Sequence, residues 1–177
     1  KTEMNSDFCE FKIDLKNGVQ IMSLLDLKSG SDVRGVALDG YGEEVNLTDE
    51  NVKAIVGAFV LFLKNRLGGK DVTVGLGHDS RLSAERIKTA ATEALKECGV
   101  KVLDSGLSST PSMFMLTVNP ENDCDGAIMI TASHHPAQKN GLKFFTKSGG
   151  LEADEITAVL EMAERGEKAA GEKSAVI

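Results

Sequence analysis

The sequence predicts a layered α/β/α domain in which a mostly parallel mixed sheet lies between helices, preceded by an N-terminal strand or hairpin segment. Two observations support this fold class. Short apolar runs, typical of buried strands, alternate with longer segments whose apolar residues recur at helical spacing. The chain has 177 residues, of which 41% are hydrophobic, and this is enough apolar material for the core of one ordinary domain.

The first predicted elements are strands. Residues 8–15 alternate imperfectly between apolar and polar side chains. Asn17-Gly18 then favours a two-residue hairpin turn, because both residues tolerate positive φ. Residues 19–27 are the predicted return strand. Residues 30–42 follow as a glycine-rich loop that contains Arg34.

Four helices are predicted after this segment. Each begins with a residue that suits a first turn or a cap, and apolar side chains then recur every three or four positions. The first two end at glycines, which favour the backbone conformation found at helix C-termini. The starting residues are Thr48, Ser83, Pro111 and Asp154, and the intervening and following strands are predicted over 72–76, 100–103, 126–130 and 142–145.

Composition divides the chain into three parts. Residues 1–30 are predicted as an N-terminal extension that forms a hairpin, and residues 31–165 as the α/β domain. Residues 166–177 are polar and low in complexity, which is typical of a linker or tail. In open α/β sheets, ligands bind beyond the carboxyl ends of strands, so loops in that position are the first candidates for a site.

Charge and cysteine usage exclude several functions. A net charge of −7 and a pI near 5.0 argue against nucleic-acid binding, which needs a basic face. No apolar run approaches the roughly 20 residues of a membrane span, and the first residues show no signal-peptide pattern. The three isolated cysteines, Cys9, Cys98 and Cys124, are typical of reduced thiols. The expected location is therefore the cytoplasm.

The segment 130–143 carries the strongest chemical signal. Ser133 follows an apolar strand between small residues, and Lys143 opens the next strand behind a glycine. Neighbouring strands would bring this hydroxyl and this ammonium to one rim, where a phosphorylated serine would be neutralised by a cation. The alternatives are a serine that caps a turn and a solvated strand lysine. Partial burial among apolar neighbours would favour Lys143 as a general acid or base.

Three other motifs carry weaker chemical signals than this segment. His134-His135, with His78 and Asp125, suggests a metal site, but neighbouring residues in extended chain point to opposite faces and rarely chelate one ion. Residues 77–81 follow a strand and precede a helix, as a phosphate loop or as a structural turn in which Asp79 bonds backbone. Arg34 could bind phosphate in bidentate fashion or form a surface ion pair.

Together these segments resemble domain I, the amino-terminal domain, of the α-D-phosphohexomutase superfamily, which includes phosphoglucomutases, phosphomannomutases and phosphoglucosamine mutases. The similarity spans roughly residues 31–165. It rests on four motifs that occur in order: Ser31-Asp32-Val33-Arg34-Gly35, Gly77-His78-Asp79-Ser80-Arg81, Thr110-Pro111, and Thr131-Ala132-Ser133-His134-His135-Pro136 with Asn140-Gly141-Leu142-Lys143.

The resemblance implies roles for four residues. Ser133 would be the phosphoserine, which phosphorylates a sugar phosphate and is rephosphorylated from the bisphosphorylated sugar. Lys143 matches a lysine that moves the proton of the accepting hydroxyl. Arg34 matches an arginine that stabilises the same region, and His134 belongs to the nucleophile loop. Mg²⁺ bound through the phosphate on Ser133 would be the cofactor, and hexose 1,6-bisphosphate the activator.

The implied activity is that of an isomerase, an intramolecular phosphotransferase that interconverts hexose 1-phosphate and hexose 6-phosphate of the glucose/mannose type. The alternatives are a phosphoglucosamine mutase and a non-catalytic α/β binding or regulatory domain. His135 replaces the asparagine usual in the family loop. The family's metal loop, sugar-selecting loop and final domain have no counterpart in this sequence. The expectation is thus a first domain that is inactive alone, with sugar phosphate as substrate and the missing domains as partners.

Overall fold

The computed structural model describes residues 22–171. Residues 8–15 and the Asn17-Gly18 turn, predicted as a hairpin, lie outside this range. The strands are β1 Lys28–Ser29, β2 Asp32–Val36, β3 Thr73–His78, β4 Lys101–Leu107, β5 Gly126–Ile130, β6 Lys139–Thr146 and β7 Gly149–Gly150. The α-helices are α1 Asp49–Arg66, α2 Ala84–Glu97, α3 Thr110–Val118 and α4 Ala153–Glu164, and short 3-10 helices cover Leu24–Leu27 and Pro120–Asn122.

The strands form one mixed sheet in the order β1-β2-β6-β5-β3-β4, with β7 paired to β6. The predicted mixed α/β fold is confirmed, but the expectation that most pairings are parallel is wrong. Only β3–β4 and β3–β5 are parallel among the pairings described, and the remaining four are antiparallel. The physical reason lies in residues 131–138, which join β5 to β6 and are too short to contain a crossover helix.

Helices cover both faces of the sheet. The large core contains the buried side chains of α1, α2 and α4 together with Ile128, Ile130, Leu142 and Phe144 of the central strands. The alternate residues Ala127, Met129 and Phe145 belong to a smaller core under α3, which contributes Met113. Successive residues of a strand point to opposite faces, so the two cores share the same strands. The layered α/β/α arrangement follows.

Local sequence explains where the helices begin. Thr48 Oγ1 accepts a hydrogen bond of 3.2 Å from the Asn51 N–H at the start of α1. Ser109 caps α3 in the same way, and Pro111 lies in its first turn, as predicted. Ser83 occupies the N-cap position of α2 but makes no capping bond. Its hydroxyl instead accepts from Asn140 Nδ2 at 2.9 Å, so the predicted capping role of this serine is wrong.

Two predictions near the N-terminus need correction. Residues Leu24–Leu27 form a 3-10 helix and not part of a return strand, because Ser23 and Asp26 form a capping box at its start. The predicted loop over residues 30–42 contains strand β2. The residues of β2 pair with β6, which supplies their backbone hydrogen-bond partners. The glycine content of this segment gives no indication of that pairing.

The ends of the described range pack against the domain. Leu27 is fully buried, and Ala169 is 5% exposed with its N–H donating to the Gly57 carbonyl at 3.4 Å. The domain boundaries expected after residues 30 and 165 stay predictions. Within residues 22–171, no helix has both the length and the apolar character required to cross a membrane.

Candidate active site

The candidate site lies where β5 ends and residues 131–138 lead back into β6. This loop borders an open cleft of about 320 Å³ at the carboxyl edge of the sheet. Three strands and the start of α3 supply its walls. The lining residues are Ser29, Asp32, Arg34, Thr110, Thr131, Ser133, His134, His135 and Lys143. All four predicted site residues, namely Ser133, Lys143, Arg34 and His134, are among them.

Ser133 contributes an exposed hydroxyl to this cleft. Its φ is +52°, in the left-handed region that residues with a side chain rarely adopt. Its N–H donates to Thr131 Oγ1 at 3.0 Å, and its Oγ lies 3.4 Å from His134 Nδ1. Backbone strain of this kind clusters at functional sites, where surrounding contacts hold it in place.

Two cations face the cleft, and one carboxylate holds both. Asp32 accepts from Arg34 Nη2 at 2.6 Å and from Lys143 Nζ at 2.7 Å. Arg34 also donates to the Thr131 carbonyl. Burial lowers the pKa of Arg34, and Asp32 opposes this shift, so the guanidinium remains the charged form. The cluster therefore presents fixed positive charge at the cleft.

The position of Arg34 depends on a glycine in the neighbouring strand. Arg34 pairs with Gly141 across β2 and β6. A Cβ on residue 141 would lie 2.1 Å from the Val33 carbonyl oxygen and 2.7 Å from Arg34 Cδ. Gly141 is thus needed for the close approach of Arg34. The predicted loop location of Arg34 is wrong, since the residue lies in β2.

Gly77 and His78 end strand β3, and residues 79–81 form a turn beside residues 131–138, which we call the serine loop. Asp79 Oδ1 accepts from the Arg81 N–H at 3.0 Å, and its Oδ2 accepts from Thr131 Oγ1 at 2.6 Å. The Arg81 guanidinium donates to backbone carbonyls of the serine loop, including that of Ser133 at 2.8 Å. Of the two readings of this motif, the structure supports the turn in which Asp79 bonds backbone.

The histidines do not assemble a metal site. His134 and His135 stack with ring centroids 5.3 Å apart, and His78 interacts with Glu85 at 3.3 Å. Asp125 lies at the amino end of β5, away from the serine loop. Burial, the neighbouring His134 and nearby arginine and lysine charges lower the pKa of His135. Among residues 22–171, no group of three or more His, Cys, Asp or Glu side chains is arranged to hold a metal ion.

Sequence reasoning missed three contributors to the site: Asp32, Asp79 as a partner of Thr131, and Thr131 itself. A usable signal existed for Asp32. Residues at positions i and i+2 of a strand lie on the same face, so Asp32 and Arg34 would have been paired if β2 had been predicted as a strand. No such signal marks Thr131, whose acceptor Asp79 lies 52 positions away in the chain.

By fold and site, residues 22–171 define an α/β/α domain that presents an exposed serine hydroxyl beside two side-chain cations. Residues 26–170 match the family model described as phosphoglucomutase/phosphomannomutase, alpha/beta/alpha domain I. The match covers most of the chain, so the protein belongs to this family. The resemblance drawn from the sequence motifs is confirmed.

Curated relatives of the chain include phosphoglucosamine mutases. The protein from Alkaliphilus metalliredigens is 40% identical over 106 residues, which are 60% of this chain and 22% of the relative. The protein from Thermobifida fusca is 38% identical over 129 residues, or 73% of this chain and 27% of the relative. The chain thus spans about a quarter of the length of these relatives.

A solved structure has the same fold. The phosphoglucomutase/phosphomannomutase family protein from Burkholderia thailandensis aligns with a TM-score of 0.69 and 25% sequence identity. The alignment covers 86% of this chain and 33% of that protein. The described domain therefore corresponds to one part of a larger architecture in that structure.

Proposed function

We propose that Ser133 is the phosphoryl carrier of a mutase that moves phosphate between the 1 and 6 positions of a hexose. The observation that carries this proposal is the cleft itself. It presents an exposed serine hydroxyl, held at positive φ, together with Arg34 and Lys143. Phosphoryl transfer depends mainly on positioning and on neutralising charge, and this arrangement suits both requirements. Membership of the family supports the assignment.

The proposed reaction begins with phosphate on Ser133 Oγ. The bond from phosphorus to Ser133 Oγ breaks as a bond to a hydroxyl oxygen of the sugar phosphate forms, and the balance of the step is one proton moved from that hydroxyl to the departing Ser133 Oγ. Lys143 is assigned to move that proton, with Asp32 fixing its Nζ. Arg34 stabilises the charge of the transferring group, and His134 lies beside Oγ. The bisphosphorylated sugar then returns its other phosphate to Ser133.

A magnesium ion is part of the proposal as the family's expected cofactor. When bound, it would neutralise charge on the phosphate of Ser133. The described residues supply no cluster that would hold it alone, so the phosphate oxygens would be this domain's contribution to its coordination. Ligands from outside residues 22–171 would complete the site, and the domains that contain them are the proposed partners.

The hexose is assigned at two levels. The substrate class is a hexose phosphate, and glucose or mannose phosphate is the first candidate, in line with the name of the matching family. Glucosamine phosphate is the second, favoured by the names of the curated relatives. Turnover assays of the protein that carries this chain, with glucose, mannose and glucosamine 1-phosphates in parallel, would separate them. Isolated residues 1–177 are expected to show no turnover, and a cytoplasmic location stays a prediction.

Phosphate uptake tests the carrier role without requiring turnover. The protein that carries this chain is incubated with Mg²⁺ and hexose 1,6-bisphosphate, and its intact mass is measured. One added phosphate is expected in wild type and in Ser148→Ala, which removes an exposed serine in the β6–β7 turn. Ser133→Ala should add none. A phosphate that persists in Ser133→Ala refutes the proposal, and no addition in folded wild type favours a non-catalytic binding domain.

A further inference from the structure

The terminal N–H groups of the Arg81 guanidinium all donate to backbone carbonyls of the serine loop and of the first residue of β6. Nη1 donates to the carbonyls of Pro136 and Lys139, both at 2.9 Å. Nη2 donates to the carbonyls of Ser133 at 2.8 Å and His135 at 2.7 Å. The planar guanidinium offers donors in fixed directions, and a lysine ammonium at one point cannot match this arrangement.

Asp79 connects Arg81 to the backbone of the serine on a second side. Its Oδ2 lies 3.5 Å from Arg81 Nε and also accepts from Thr131 Oγ1 at 2.6 Å. Thr131 Oγ1 in turn accepts from the Ser133 N–H at 3.0 Å. The Ser133 N–H and C=O are therefore both fixed by one network, which we call the Asp79–Arg81–Thr131 network.

This network binds the residue of the loop that has a left-handed backbone conformation. The left-handed φ of +52° at Ser133 is unfavourable for a residue with a side chain. Within residues 131–138, the backbone also contributes the bond from the His135 N–H to the Ala132 carbonyl at 3.0 Å. The Ser133 N–H and carbonyl take no part in that bond and are bound by the network instead. The Arg81 side chain is only 13% exposed, so it is itself held in place.

We infer that the Asp79–Arg81–Thr131 network positions Ser133 for phosphoryl transfer, with Arg81 as its principal positioning residue. The inference rests on the proposed function of Ser133. Arg81 contacts the carbonyls of the loop, and its guanidinium N–H groups are already occupied by them. Its effect on the reaction is therefore exerted through the angle and location of the serine hydroxyl.

The test compares two arginines that bind backbone carbonyls. Arg86 in α2 donates from Nη2 to the carbonyls of Ala37 and Leu47, away from the serine loop. Arg81→Lys and Arg86→Lys are matched substitutions, and Ser133 phosphorylation by hexose 1,6-bisphosphate is followed in single-turnover experiments alongside thermal unfolding. Arg81→Lys should slow phosphorylation about 100-fold, since small misplacements of reacting groups have effects of this size, while Arg86→Lys stays within about threefold of wild type.

Two further measurements separate positioning from general stability. Added guanidinium should restore part of the rate lost in Arg81→Ala, because it can reoccupy the space and bind the same carbonyls. Thr131→Val should slow phosphorylation about 10-fold, whereas Thr131→Ser, which keeps the hydroxyl, should remain near wild type. The threonine pair also keeps the inference testable if the Arg81 variants do not fold.

The outcomes are distinct. A folded Arg81→Lys or Thr131→Val protein that is phosphorylated at the wild-type rate overturns the inference and leaves Ser133 as the carrier. Equal slowing in Arg81→Lys and Arg86→Lys, in proportion to lost stability, also overturns it. A folded wild-type protein that takes up no phosphate overturns the proposed function of Ser133 and this inference with it.

Discussion

Opposite ends of the same sheet each hold a carboxylate between two cations, yet the two clusters differ in what they can do. Asp32 bridges Arg34 and Lys143 beside an open cleft that contains the Ser133 hydroxyl. The second cluster, at the amino end of β5, consists of Asp125, Lys70 and Lys147. The two clusters share their charge pairing and differ in the exposed serine hydroxyl, and the proposed function of the first cluster rests on that difference.

In the second cluster the carboxylate itself is bound by the backbone. Asp125 is 6% exposed and accepts from the Thr73 N–H at 3.0 Å, which ties β3 to the start of β5. Its lysines lie largely in solvent, with side-chain exposures of 51% for Lys70 and 56% for Lys147. The contrast is in line with the catalytic role proposed for the Asp32 cluster and with a structural role for the Asp125 cluster.

The largest effect is expected from removing one lysine of each cluster. Lys143→Met should slow phosphorylation of Ser133 by about 100-fold or more, since it removes both charge stabilisation and the proposed proton carrier. Lys147→Met is the matched control and should leave the rate unchanged. Single-turnover phosphate uptake from hexose 1,6-bisphosphate measures both. Equal rates for the two variants would remove Lys143 from the mechanism.

The carboxylates should differ in which property they change. Asp32→Asn is expected to slow phosphorylation about 10-fold, because Arg34 and Lys143 lose the group that fixes them. Asp125→Asn should leave the rate unaltered but lower the free energy of unfolding by about 2 kcal/mol, because it weakens the hydrogen bonds of a buried carboxylate to Lys70 and to the Thr73 N–H. Urea unfolding and phosphate uptake on both variants check this. A slower reaction in Asp125→Asn would contradict the division of roles.

Acid should erase the stabilising effect of Asp125. Burial acts to raise the pKa of this carboxyl, but hydrogen bonds from Lys70 and the Thr73 N–H outweigh burial and hold the pKa below its ordinary value of 3.8. A depressed pKa in the folded state means that the stabilisation is fully present above the unfolded pKa and is lost as pH falls through the folded pKa.

The difference in unfolding free energy between wild type and Asp125→Asn should therefore stay constant from neutral pH down to about pH 5 and shrink below the ordinary pKa of the carboxyl. Urea unfolding across this pH range measures it. A difference that already closes near pH 6 would assign the effect to another titrating group.

The smallest expected effect concerns backbone strain at Ser133. Ser133→Gly should be more stable than Ser133→Ala by about 1 kcal/mol, because glycine adopts positive φ without the steric cost of a Cβ. The same pair of substitutions at Ser148, which is outside the left-handed region, should favour alanine or show no difference. If glycine gives no advantage at residue 133, the strain assigned to the serine loop is absent.

Much of the fold follows from local sequence. The helix after Thr48 and the strand over Gly126–Ile130 were predicted within one or two residues, because caps and apolar periodicity act locally. Strand β2 was missed because the glycines in and around it suggest a loop, while its pairing with β6 depends on residues more than a hundred positions away. The antiparallel direction of that pairing also could not be predicted from the alternation of strands and helices in the sequence.

The residues proposed to react could be predicted from the sequence, and the residues that hold them in place were harder to predict. Ser133 and Lys143 are marked by their neighbours in sequence, and the structure places both at one cleft. The role of Arg81 was not predictable in the same way. Its acceptors are backbone carbonyls, which every residue has, and they come from a loop more than fifty positions further along the chain.

The central claim is that Ser133 carries the phosphoryl group, and locating the phosphate tests it most directly. After incubation with Mg²⁺ and hexose 1,6-bisphosphate, the protein is digested and the modified residue is identified by tandem mass spectrometry. The account predicts one phosphate, on Ser133, which is lost again when hexose 1-phosphate is added. Phosphate on another residue, or none on the folded protein, would contradict it.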